Sequence, residues 1–135
     1  MKAVPQIQKF MTTTPYAVNA DSMVQEAAQL MDKHGIRHLP VMKDGKVMGI
    51  ISDRDIRRAV GFTSFNPQVT SVADICEPEF YETTPSAHID EVATAMADEK
   101  IGSALVMDNG KLVGIFTTTD VCRALAEVAS QRFHK

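Results

Sequence analysis

Apolar residues recur at Val24, Ala27, Ala28 and Met31, with Leu30 beside them. That spacing puts them on one face of a helix. Asp21 or Ser22 is placed to cap it, with Gln25 or Glu26 at the partner position of a capping box. Gly35 follows as a C-terminal stop. Two short apolar runs come next, His38 to Met42 and Val47 to Ile51, separated by Lys43-Asp44-Gly45-Lys46. Asp-Gly between apolar runs predicts a tight hairpin, because its turn needs positive φ. Ser52 or Asp53 then starts a helix through Ala59. Ahead of all this, Val4 to Met11 forms a lead-in with a helical turn, and Ala17 to Asn19 an extended stretch.

The same pattern then returns. Shifted by 65 residues, the chain aligns with itself from Phe10 to Val60 without a gap, and 14 of the 51 positions are identical. Among them are Tyr16/Tyr81, Ile36/Ile101, Gly49/Gly114, Asp55/Asp120 and Arg58/Arg123. A repeat of this kind decides the fold before any single element does. The second copy predicts a helix from about Ser86 to Glu99 and strands near Ala104 to Met107 and Leu112 to Phe116. Asn109-Gly110 makes its hairpin, and a last helix runs from about Thr117 to Gln131. The repeats are 4–60 and 69–132, with 61–68 as linker. Each copy is near the size at which a lone core is marginal, so the two are expected to share one. The fold class is α/β, with two tandem copies related by a pseudo-two-fold axis.

Composition narrows the function. The chain has 135 residues, a net charge of −3 and 44% hydrophobic residues, ordinary for a globular protein. Nothing there gives bulk attraction to nucleic acid or to an anionic membrane. No apolar run approaches the roughly 20 residues that span a bilayer. Met1 to Met11 lacks the apolar core of a signal peptide. The two cysteines, Cys76 and Cys122, have no CxxC spacing, which suits reduced thiols in the cytoplasm. His34, His38, His88 and His134 are scattered, without metal-ligand spacing. No nucleophile or acid–base constellation is visible, so no catalytic residue is assigned and an enzyme is not expected.

One short motif does carry chemistry, and it occurs twice. The copies read Gly49-Ile50-Ile51-Ser52-Asp53-Arg54-Asp55 and Gly114-Ile115-Phe116-Thr117-Thr118-Thr119-Asp120. A buried strand runs straight into a helix N-terminus, with a hydroxyl at the cap and Asp three residues on. Free amides at such a terminus suit an anion. The Asp can accept two hydrogen bonds from vicinal ribose hydroxyls. It can equally complete a capping box with the Ser or Thr.

With the Arg37-His38-Leu39-Pro40-Val41 run and the tandem arrangement, the chain resembles a pair of cystathionine-β-synthase (CBS) domains, also called a Bateman module. The resemblance covers about Val4 to Leu125. It implies repeats packed through their sheets, with two clefts between them that take AMP, ADP, ATP or S-adenosylmethionine, with or without Mg²⁺. It implies Asp55 and Asp120 as ribose acceptors, with Ser52 and Thr117 near phosphate or ribose. One cleft would join Thr117, Thr119 and Asp120 to Val18, Ala20 and Ile36, with Arg37 and His38 at the phosphate end. The other would join Ser52 and Asp55 to Thr83, Pro85 and Ile101, with Gly102 and Ser103 there. The resemblance also implies a homodimer. The function expected is a regulatory sensor acting on a separate protein. The alternative is a ligand-free interaction or dimerisation module.

Overall fold

A computed structural model describes residues 3–133; Met1 and His134 fall outside the described residues. The fold is mixed α/β, with two sheets and four α-helices among these residues. One sheet has the order β2-β3-β4, from Val18–Asn19, His38–Lys43 and Lys46–Ser52. The other has the order β1-β7-β6-β5, from Thr12–Thr13, Lys111–Thr117, Ser103–Asp108 and Glu82–Thr83. The helices are α1 (Val24–His34), α2 (Asp53–Val60), α3 (Ile89–Glu99) and α4 (Thr118–Phe133).

Both hairpins form as the Asp-Gly and Asn-Gly signals require. Asp44 and Gly45 have φ of 52° and 78°, and Asn109 and Gly110 have 51° and 76°. Positive φ at both central residues is the turn that matches the twist of the flanking strands. The register slips at the same place in each copy, between Val41 and Met42 and between Val106 and Met107. One residue of the partner strand is left over at each slip, the mark of a β-bulge.

Side chains separate into two cores. Val18, Ala20, Ala27, Met31, Leu39, Val41, Ile51 and Val72 form one cluster. Ile7, Val92, Met96, Ala104, Val106 and Phe116 form the other. Two compact units follow: Pro15–Phe80, and residues up to Thr14 together with Tyr81 onward. The compact units are therefore not the sequence repeats 4–60 and 69–132. Each repeat's lead-in belongs to the unit of the other repeat.

Helix capping shows why. The sequence offered Asp21 or Ser22 as the cap of α1, but the cap position is Met23, with no side-chain bond. The first-turn amides of Val24 and Gln25 donate instead to the carbonyls of Thr70 and Pro67, at 2.9 and 3.0 Å. Backbone acceptors from the linker and the following lead-in satisfy the donors that a side chain would otherwise take. In α3 the Ile89 amide donates to Pro5 O at 3.0 Å. That helix starts three residues after the expected Ser86, because Thr84 to Ala87 closes a turn first, with the Ala87 amide on Thr84 O. Its C-cap is Lys100 at φ 55°, where Gly35 ends α1 at φ 62°.

Candidate ligand-binding site

The two strand-to-helix turns are built alike. Ser52 caps α2: its hydroxyl accepts from the Asp55 amide at 3.1 Å, and Asp55 Oδ2 accepts from the Ser52 amide at 2.8 Å. The capping box read as the plain alternative is thus present. It uses only one carboxylate oxygen; among the described residues no protein donor reaches the other. Asp55 is nonetheless 8% exposed. In the second copy Asp120 is 2% exposed. Its Oδ2 accepts from the Thr117 amide at 2.9 Å and the Thr117 hydroxyl at 3.2 Å, and its Oδ1 from Arg123 at 3.2 Å. So the second Asp is occupied on both oxygens, and the first is half free.

The first amide of each helix is bound in the same way. Asp53 N donates to Arg37 O at 2.9 Å, and Thr118 N to Gly102 O at 3.1 Å. His38 lies opposite Ser52 in the β3–β4 register, and Ser103 opposite Thr117 in β6–β7. Within the Pro15–Phe80 unit, Arg37 and His38 therefore stand at the Ser52–Asp55 turn. Within the other unit, Gly102 and Ser103 stand at the Thr117–Asp120 turn. Ile101 is half-buried beside that second turn, Thr119 is exposed on α4, and Ser103 is buried. Thr83 is half-buried on β5, and Pro85 accepts the Gln8 amide at 3.0 Å. Val18 and Ala20 lie in the core of the Pro15–Phe80 unit, with Ile36 packed against it. Both backbone groups of Ala20 are engaged, with Met42 O and the Ala73 amide.

A cavity of about 380 Å³ opens beside Asp55. Its wall includes Arg58, Ala59, Phe62, Phe65, Ile75 and Glu77. That volume is in the range of small-molecule sites, which pair apolar walls with a few polar groups. The sequence reading missed Phe62, Phe65, Ile75 and Glu77. Phe62 and Phe65 lie in the linker, and Ile75 and Glu77 at the start of the second repeat, where the alignment pairs them with Phe10 and Thr12 and no motif marks them. The one available signal was Gly49. A Cβ there would overlap the Glu77 carbonyl oxygen, so a second chain segment had to cross that strand closely.

Local fields are uneven. Burial pulls the His38 imidazole below its ordinary value near 6.5, against the raising effect of Asp53 and Asp55. Arg37 and Arg54 add to the lowering. Burial pushes the Cys76 thiol up, and the Asp55, Glu77 and Asp74 carboxylates push the same way. The His38 shift has a sign that can be checked. Below about 6.5 the unfolded chain takes a proton that the folded one refuses until lower pH. Stability from this group is complete above 6.5 and is lost as pH falls through that window. Denaturant titrations from pH 7.5 to 5 should show that loss, and His38→Gln should flatten it. An unchanged slope in the variant would assign the loss to other groups.

Among the described residues, no group of three or more His, Cys, Asp or Glu is placed to hold a metal, and no helix is long and apolar enough to cross a membrane.

The family model for the CBS domain matches residues 7–61 and 72–127. The chain belongs to the CBS-domain family, as a tandem pair. It is 27% identical over 138 residues to the CBS domain-containing protein YhcV of Bacillus subtilis, covering 95% of this chain and 98% of that protein. It matches an inosine-5′-monophosphate dehydrogenase of Staphylococcus haemolyticus at 27% identity over 93% of this chain, but only 25% of that enzyme's length. Among solved structures, a putative acetoin utilization protein (AcuB) from Vibrio cholerae superposes with a TM-score of 0.84 at 27% identity, covering 98% and 99% of the two chains. The CBS domain pair of protein MJ0100 gives 0.85 at 25% identity, covering 93% and 99%. That structure is a complex with 5′-methylthioadenosine and S-adenosyl-L-methionine. A CBS pair is a regulatory class of module.

Proposed function

We propose that this CBS pair is a sensor whose strand-to-helix turns hold an adenosyl ligand, with Asp55 and Asp120 as ribose acceptors. The observation that carries the reading is Asp55: a buried carboxylate with one free oxygen on the wall of a 380 Å³ cavity. A purely structural cap gains nothing from such a cavity. The adenosyl compounds bound by the MJ0100 pair support the ligand class. Ser52, Arg37 and His38 flank Asp55 in this reading. Thr117, Thr119 and Ser103 flank Asp120, so this reading exchanges Arg37 and His38 for Ser103 relative to the sequence expectation; Ile36, Ile101 and Pro85 supply apolar wall and Thr83 a hydroxyl. The ligand is AMP, ADP, ATP or S-adenosylmethionine, with Mg²⁺ accompanying a polyphosphate. It acts by binding one arrangement of the protein better than another. The protein works as a cytoplasmic homodimer that regulates a separate protein, without catalysis of its own.

A thermal-shift screen tests this, using the four compounds and guanine nucleotides, with and without Mg²⁺. A ligand at 100 times its Kd stabilises by about 2.7 kcal/mol, a shift of several degrees in a domain of this size. A shift confined to adenosyl compounds is the expected result. No shift at millimolar concentration favours a ligand-free interaction module. One observation speaks for that second reading: Val60, Phe62 and Val69, in and beside the linker, are 64%, 70% and 73% exposed, apolar surface that a partner could cover.

A further inference from the structure

Helices α2 and α3 carry opposite charge on their exposed faces. Arg54, Arg57 and Arg58 of α2 are exposed, and their spacing puts them on one face. Arg57 meets Asp53 at 3.5 Å; among the described residues Arg54 and Arg58 make no ion pair. Asp55, the other acid of that helix, is buried. On α3 the exposed residues include Asp90, Glu91, Asp98 and Glu99, and the helix holds no Lys or Arg. Glu91 lies 3.9 Å from His88. Asp90, Asp98 and Glu99 make no ion pair among the described residues. Lys100, just beyond the helix, offsets one of the four acids.

Neither excess occurs in the other repeat. The positions equivalent to Arg54 and Arg57 are Thr119 and Cys122, and those equivalent to Asp90, Asp98 and Glu99 are Gln25, Lys33 and His34. The cationic face therefore belongs to the Pro15–Phe80 unit and the anionic face to the other. Two copies that met through these faces with like units together would set guanidinium against guanidinium, or carboxylate against carboxylate. Meeting with unlike units together, they set one sign against the other. Complementarity of this kind fixes register and rejects the wrong arrangement, since like charges brought together are strongly disfavoured. Apolar surface accompanies the charge. Val60, three residues after Arg57, is 64% exposed, and Thr94 and Ala97 are exposed between the acids of α3.

We propose that the cationic face of α2 docks on the anionic face of α3 of a second copy, so that the homodimer pairs unlike repeats. Made about a two-fold axis, the contact occurs twice and the assembly closes. The inference rests on the homodimer proposed above and adds its surface and its orientation.

Light scattering across protein concentration and salt tests it. The samples are the wild type, Arg54→Glu/Arg57→Glu, Asp98→Lys/Glu99→Lys, and an equimolar mixture of the two variants. All four substituted side chains are exposed, and circular dichroism checks that each variant is folded. The wild type should be a dimer whose Kd rises with salt, because the paired charges lie near solvent. Each double variant sets like charges against each other and should raise that Kd at least tenfold. The mixture should recover the dimer, because each variant supplies the sign the other has lost. A folded variant that dimerises as tightly as the wild type would overturn the α2–α3 pairing and leave the homodimer standing. So would a mixture that stays monomeric, or a wild-type dimer that tightens with salt. A wild type of single-chain mass at every concentration would overturn the homodimer, and this inference with it.

Discussion

Replacing Gly49 with alanine is expected to destabilise the protein by about 1–3 kcal/mol, the usual range for overpacking a closed site. The melting temperature should fall by roughly 3–15 °C. The new methyl would overlap the Glu77 carbonyl oxygen and lie 3.2 Å from Cys76 Sγ. Glu77 cannot step aside, because it exchanges two backbone bonds with Ile50, at 2.9 and 2.8 Å. The equivalent Gly114→Ala should cost less, under about 1 kcal/mol. There the closest atom is the Met11 sulfur at 2.7 Å, on a flexible side chain that can swing away, and the backbone contact, Thr12 O at 3.1 Å, needs a shift of only a few tenths of an ångström. Paired denaturation curves decide the point. Equal losses at the two sites would show that the Glu77 segment yields as easily as a methionine.

The second large effect concerns ligand. Asp120→Ala should weaken adenosyl binding at its own turn by about 1.5–3 kcal/mol, the worth of a hydrogen bond to a charged group. That is roughly 10- to 150-fold in Kd. The same change removes the acceptor of the Thr117 amide and hydroxyl and frees Arg123. Some loss of stability must accompany it, so Asp120→Asn serves as a control that keeps an oxygen acceptor for the Thr117 donors. Affinity at the Asp120 turn that survives both changes, in folded protein, would remove the ribose role from this residue.

Much of this molecule was legible in its sequence, because its signals are local. The Asp-Gly and Asn-Gly turns demand positive φ, and both hairpins formed. The hydroxyl and acid three residues apart predicted the Ser52 cap and its bond to Asp55. The duplicated motif announced two equivalent turns, and the family resemblance followed from it. What local pattern could not show was exchange between repeats. Asp21 and Ser22 looked like caps, but the carbonyls of Thr70 and Pro67 lie more than 40 residues away in sequence. The same exchange brings Ile75 and Glu77 to the cavity beside Asp55. Spacing along the chain gives no access to such a contact. Nor could it show that Asp120 is already bound by Arg123 while the identical pair Asp55 and Arg58 is not ion-paired. Those two residues are the same in both copies, and only packing distinguishes them.

The most direct test of the central claim is a crystal structure of the protein grown with a saturating adenosyl ligand, ATP or S-adenosylmethionine. Ribose hydroxyls are expected within hydrogen-bond distance, about 2.5–3.0 Å, of the Asp55 or Asp120 carboxylate, with the base against apolar residues of the adjoining wall. A ligand bound with its ribose away from both carboxylates, or both turns empty at saturation, would contradict it.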